Sequence, residues 1–178
     1  AYVKELADRR SIKWGHVYKH FERFVNGKCT FEEVDVDLCR KFMEYLLNAP
    51  QTIHTNQKLH INSAAGYWSA FRAVLHTAYR DRKIKENPNG FLDRIESIPT
   101  MREHLSQEEL IRLAETPCEE EVLKRAFLFA CLTGLRKSDI RQLTWQQIQP
   151  YTNGKMFVTT RMQKTKQIVH NPISGEAY

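Results

Sequence analysis

Residues 133–145 read TGLRKSDIRQLTW, directly after the apolar run AFLFACL at 126–132. Three glutamates, Glu119, Glu120 and Glu121, stand before that run, at the positive end of a helix dipole. The spacing predicts a helix that starts around Glu119, is buried nearly all round and ends at Cys131 or Leu132. Gly134 is placed to close it, because glycine accepts the left-handed conformation of a helix C-cap. Leu135-Arg136 then leaves the core at a fixed point. Ser138 and Asp139 open a short helix anchored by Ile140, Leu143 and Trp145. An arginine on such a corner can be pre-positioned to grip a phosphate through two parallel hydrogen bonds. Asp139, one turn on, can hold the arginine or a neighbouring loop. The plainer alternative is a helix cap with an exposed Arg136–Asp139 ion pair, which contributes little.

The flanks of this stretch are regular. Upstream, Ser106 with Glu109 three residues later is a capping box with Leu105 as its staple, so a helix runs from there to about Ala114, and Pro117 breaks it. Downstream the period changes. Asn153-Gly154 is a strong hairpin signal, and KMFVTTRM and QIVHNPI are strand-like runs separated by QKTK at 163–166.

The first 90 or so residues read as helices joined by polar connections. A long amphipathic helix is expected over 3–26, with Ile12, Trp14, Val17, Tyr18, Phe21, Phe24 and Val25 on its apolar stripe and Gly27 to stop it. Asp35 caps a second helix carrying Leu38, Phe42, Tyr45 and Leu46. Ser63 is expected to cap a third, running to about Lys83, with Tyr67, Phe71, Val74, Leu75 and Ala78 inside. Arg72, His76, Arg80 and Lys83 recur at helical spacing on another face. They read either as a solvated charged face or as a stripe of phosphate contacts. KENPNG ends that helix, because the residue before a proline avoids the helical region. Residues 91–105 contain Pro99 and no sustained period. The domains are therefore expected at 1–94 and 105–178, joined by a flexible linker at 95–104.

At 178 residues the chain can bury a real core, and its net charge of +6 favours a polyanionic partner. Cys29, Cys39, Cys118 and Cys131 lack paired spacing, so buried free thiols in a reducing, cytoplasmic setting are expected rather than zinc. His16 and His20 lie four apart without the glutamate or third ligand of a metal helix, and read as surface histidines. No metal or cofactor is implied. Neither a membrane span nor a signal peptide is evident. The chain begins without Met and ends in mid-pattern at NPISGEAY, as a piece of something longer would.

TGLRKSDIRQLTW resembles the first arginine box of the tyrosine recombinases, the phage-integrase family. MREHLSQEEL at 101–110 resembles the opening of their catalytic domain, QKTK their lysine-bearing hairpin, and NPIS the strand after it. The first 90 or so residues, ending in IKENP, are similar to their helical core-binding domain, with the flavour of integrases from Bacteroidetes mobile elements. The resemblance implies a mainly α fold with a small antiparallel β-sheet: a helical SAM-like core-binding domain followed by the N-terminal part of an α+β catalytic domain. It implies that Arg136 contacts the scissile phosphate, that Asp139 supports the site, and that Lys164 protonates the leaving 5′-oxygen, with Lys166 ranked second. It makes Arg72, His76, Arg80, Lys83 and Lys85, together with Lys166, candidate contacts to double-stranded DNA. Sister protomers would assemble on that DNA in the full-length protein. The family's second arginine box and nucleophilic tyrosine are expected beyond residue 178. His170 is followed by Ile173 where an arginine is required, and Tyr178 comes too early. The fragment is thus expected to bind DNA without cleaving it. The competing readings are a non-catalytic helical DNA-binding module and, last, a protein-interaction domain.

Overall fold

The computed structural model describes residues 2–8, 12–54, 56–150 and 155–175. The chain divides into two compact units, 1–101 and 102–178. Among the described residues no helix is long and apolar enough to cross a membrane.

The first unit is helical: α1 (Tyr2–Asp8), α2 (Ile12–Phe24), α3 (Val36–Asn48) and α4 (Ile61–Arg80), then a 3-10 turn at Pro88–Phe91. Helix is found as two pieces, α1 and α2, where one helix over 3–26 was expected; residues 9–11 lie outside the described residues. Asp35 caps α3 by accepting the Leu38 N–H at 2.7 Å. The cap of α4 is His60, whose Nδ1 accepts the Asn62 N–H, so Ser63 already lies in the first turn. The helix also stops at Arg80, short of Lys83, with Arg82 in the left-handed region.

Helices α2, α3 and α4 meet through three phenylalanines, one from each. Phe21, Phe42 and Phe71 have ring centroids 4.7–5.1 Å apart, edge-on or tilted. Such contacts add to the area each ring buries. Val17, Leu46, Trp68 and Leu75 surround them. His20 is in this packing too, fully buried rather than on the surface, against Tyr45 and Tyr67. Neither of its ring nitrogens has a hydrogen-bond partner. The α2 helix turns it inward with Val17 and Phe21, because positions three and four apart share a face.

Residues 87–98 form a strap over α3 and α4. Trp68 Nε1 donates to Asp93 O at 2.8 Å, and Arg40 reaches Phe91 O. Asn62 exchanges two hydrogen bonds with the backbone of Ile98, at 2.8 and 2.9 Å. The beginning of the segment expected to be a flexible linker is thereby tied to the first unit.

The second unit holds α5 (Gln107–Glu115), α6 (Glu121–Thr133), α7 (Lys137–Ile140) and an antiparallel sheet β1-β2-β3 (Ile148–Pro150, Met156–Arg161, Ile168–Ile173). The Ser106–Glu109 capping box forms in both directions. Lys124 of α6 donates to Ala114 O and Thr116 O, closing the open end of α5, and pairs with Glu121. In β1–β2 Gln149 stands opposite Phe157, and in β2–β3 Val158 stands opposite Asn171. The Asn153-Gly154 turn lies outside the described residues. Val158, Leu135 and Ile173 centre a small core, with Phe129, Ile140 and Leu143 packed on it.

Three expectations fail here. Helix α6 is not buried all round: Val122 is 81% exposed and Phe127 46%, and Cys131 and Leu132 are exposed as well. A three-stranded sheet covers only one face of a helix, whatever its composition. Trp145 is 78% exposed and anchors nothing, leaving Ile140 and Leu143 to hold α7. Of the thiols, only Cys39 is buried and Cys29 half-buried, while Cys118 and Cys131 are exposed.

His20 generates a pH prediction. Burial, then the charges of Arg23 and His16, push its pKa down from 6.5 to about 4. The unfolded chain therefore binds a proton that the folded chain refuses. Stability is full above the unfolded value and falls as pH drops from 6.5 towards 4. The loss should reach about 3 kcal/mol, at roughly 1.4 kcal/mol per pKa unit. Thermal unfolding of the chain between pH 7 and pH 4 should have a slope that His20→Phe flattens; an unchanged slope refutes it.

Candidate functional site

Helix α6 ends as its sequence demands. Gly134 sits at φ 67° and its N–H donates to Ala130 O at 2.9 Å. Thr133, just before it, is buried; its hydroxyl donates to Phe129 O at 2.6 Å and accepts the Leu135 N–H at 3.4 Å. Leu135 then drops into the core, and Arg136, in extended conformation, becomes the N-cap residue of α7. Its side chain is exposed.

Asp139 points the other way. It is 2% exposed, and no ion pair joins it to Arg136 among the described residues. The exposed Arg136–Asp139 pair is therefore not formed. One turn of helix separates the two residues, and it leaves the arginine outside and the carboxylate inside. Asp139 Oδ1 instead accepts the backbone N–H of Gln163 at 2.8 Å, with the Ser138 hydroxyl at 3.4 Å. Gln163 opens the turn at 163–165 between β2 and β3, and Lys164 is the next residue. A single carboxylate thus ties the arginine corner to the lysine turn. Its Oδ2 is buried without a hydrogen-bond partner.

The turn is closed from its far side. The Lys166 N–H donates to Met162 O at 2.9 Å, and Arg161 Nε reaches Lys166 O. Lys166 sits at φ 60°, a left-handed position. Lys164 is exposed at the tip, while the backbone of Lys166 locks the base.

The basic residues of the first unit are not all equivalent. Arg72 Nε and a terminal nitrogen bond Asn89 Oδ1 and Asn89 O, and Asn89 Nδ2 returns a bond to Arg72 O at 2.8 Å. This arginine holds the strap. His76, Arg80, Lys83 and Lys85 are exposed. Tyr2 donates to Asp81 Oδ2 at 2.8 Å beside Arg80, and burial with that acidic partner pushes its pKa up to about 12. A cleft of about 620 Å³ in the second unit is lined by Leu132, Met156, Pro172 and Ile173 and touches none of the site residues. Among the described residues no group of His, Cys, Asp or Glu could hold a metal ion.

Sequence reasoning named Arg136, Asp139 and Lys164 as candidates but did not anticipate the Gln163 N–H that Asp139 accepts, since a backbone donor carries no residue signal. It also missed Thr133 and Asn171, whose amide donates to Thr133 O at 2.9 Å. The available signal was an asparagine amid the apolar residues of a strand.

Two family models match the chain: the phage integrase SAM-like domain over residues 1–92 and the phage integrase family over residues 103–178. No curated protein sequence matches it. A lambda integrase tetramer bound to a Holliday junction matches with a TM-score of 0.63 at 18% identity, over 99% of this chain and 50% of that one. A lambda integrase dimer bound to a COC′ core site matches with a TM-score of 0.60 at 17% identity, over 99% and 62%. The chain thus spans half to three fifths of the length of these structures, and at such identities the likeness is one of fold.

The tie through Asp139 predicts an order of variants. Asp139→Ala leaves the Gln163 N–H without its partner and should cost the second unit about 1–3 kcal/mol. Asp139→Asn keeps an acceptor and should cost less. Hydrogen exchange at the Gln163 amide should rise in the alanine variant and stay slow in the asparagine variant. Equal, slow exchange in both would exclude the tie.

Proposed function

The chain belongs to the phage integrase family, the tyrosine recombinases, and from that premise we propose that it is the DNA-gripping part of a site-specific recombinase. Residues 1–94 are the core-binding domain, 95–104 the linker, and 105–178 the start of the catalytic domain. The partner is double-stranded DNA, on which sister protomers assemble in the full-length protein. The lambda integrases of the same fold were captured as a dimer on a COC′ core site and as a tetramer on a Holliday junction, which supports this reading.

The observation that carries it is the Asp139–Gln163 hydrogen bond. It joins the segment of one exposed cation, Arg136, to the segment of another, Lys164. That is the arrangement phosphoryl transfer needs. When a tyrosine hydroxyl gives up its proton to solvent and attacks a DNA phosphate, negative charge grows on the phosphate oxygens. A fixed guanidinium stabilises it. The bond from phosphorus to the 5′-oxygen breaks, the 3′-phosphate stays on the tyrosine, and Lys164 gives the departing oxygen its proton. Asp139 acts through the turn and touches no substrate. In the family pattern a second arginine box precedes the attacking tyrosine, and neither His170 nor Tyr178 fits that pattern, so the proposal is that these 178 residues bind DNA and leave it uncut.

Affinity for duplex DNA should fall steeply as salt rises. Arg136→Ala and Lys164→Ala should each weaken binding, and Arg80→Ala with Lys83→Ala should reduce the salt slope by about 1–2. Arg80 and Lys83 make a cleaner test than Arg72, whose loss also loosens the strap. Salt-insensitive binding, or full affinity in Arg136→Ala, refutes the proposal. A covalent adduct with a nicked substrate would overturn the claim that these residues do not cleave.

A further inference from the structure

The last carbonyls of a helix have no partner within it. In α6 the Ala130 carbonyl is met by the Gly134 N–H, and the Thr133 carbonyl by Asn171 Nδ2 at 2.9 Å. Asn171 belongs to β3 and stands opposite Val158, which is fully buried. Its neighbours on that face of β3, Val169 and Ile173, pack in the apolar core. An amide in such a row is costly unless it is bonded. The Thr133 carbonyl is the partner that makes it tolerable.

Arg136 is therefore bracketed. Three residues before it, Thr133 is held by Asn171. Three residues after it, Asp139 holds Gln163. The first bond docks the corner on β3, and the second docks it on the turn that carries Lys164. We propose that Asn171 is a positioning residue: it sets the place of Arg136 relative to Lys164 by fixing the corner from the side that Asp139 leaves free. This rests on the reading that the two cations grip one phosphate. Asn171 touches no DNA and acts only through the corner.

The test is a double-mutant cycle on duplex DNA affinity, measured by fluorescence anisotropy on the 178-residue chain. Asn171→Val suits a strand and removes only the amide; Asn171→Ser serves if the valine variant does not fold. Either should weaken binding about fivefold in the native background and have no effect in Arg136→Ala, because coupled residues do not add. Hydrogen exchange at the Leu135 amide should quicken in the same variants. Equal losses in both backgrounds, or native affinity in the variant while Arg136→Ala weakens binding, overturns the proposal alone. Unchanged exchange at Leu135 overturns it without reference to DNA. Native affinity in Arg136→Ala would remove the phosphate-gripping reading itself, and this proposal with it.

Discussion

The second unit turns on one buried carboxylate accepting one backbone N–H. Asp139 reaches across 24 residues to Gln163, and that bond decides which parts of the surface become neighbours. Without it, Arg136 is an exposed cap residue and Lys164 is an exposed turn residue. A buried acid is costly unless bonded. This one has a backbone donor at Oδ1 and none at Oδ2. The corner is thus built around a buried carboxylate whose burial the Gln163 N–H makes tolerable.

The first unit follows another logic. Its three-phenylalanine contact and the apolar side chains around it hold the helices together. Polar side chains are used at the margin, where Arg40, Asn62, Trp68 and Arg72 bind the carbonyls and amides of the strap. Arg72 illustrates a general point about basic stripes. Spacing places it with His76 and Arg80, but an arginine whose fork already holds a backbone carbonyl and an amide oxygen has fewer donors left for phosphate. Charge patterns identify a face, and the hydrogen bonds identify which members of it are available.

Helix α6 carries the converse lesson. Its composition describes a helix with apolar residues on every side, and the sheet beneath covers only one of them. Exposed Val122, Leu123 and Phe127 are therefore a property of what packs against the helix and not of the helix. His20 was misread for a related reason. A histidine four residues from another invites a surface reading, yet it lies on the stripe of Val17 and Phe21, and that stripe faces the core.

Much of the architecture was legible in the sequence, because it is local. The Asp35 cap, the Ser106–Glu109 box, Gly134 in the left-handed region and the two long strands all follow from short-range sterics and hydrogen bonding. Arg136, Asp139 and Lys164 could be singled out as candidates too, through the residues around them. The sequence by itself thus determined most of the elements and their order, and marked Arg136 and Lys164 as candidate cations. Only the tertiary structure decided that Asp139 binds the lysine turn and not the arginine, that Asn171 closes α6, that Arg72 belongs to the strap and that His20 is buried. Those are contacts between residues tens of positions apart. Their partners are often backbone groups, which every residue has and which no pattern of side chains can announce.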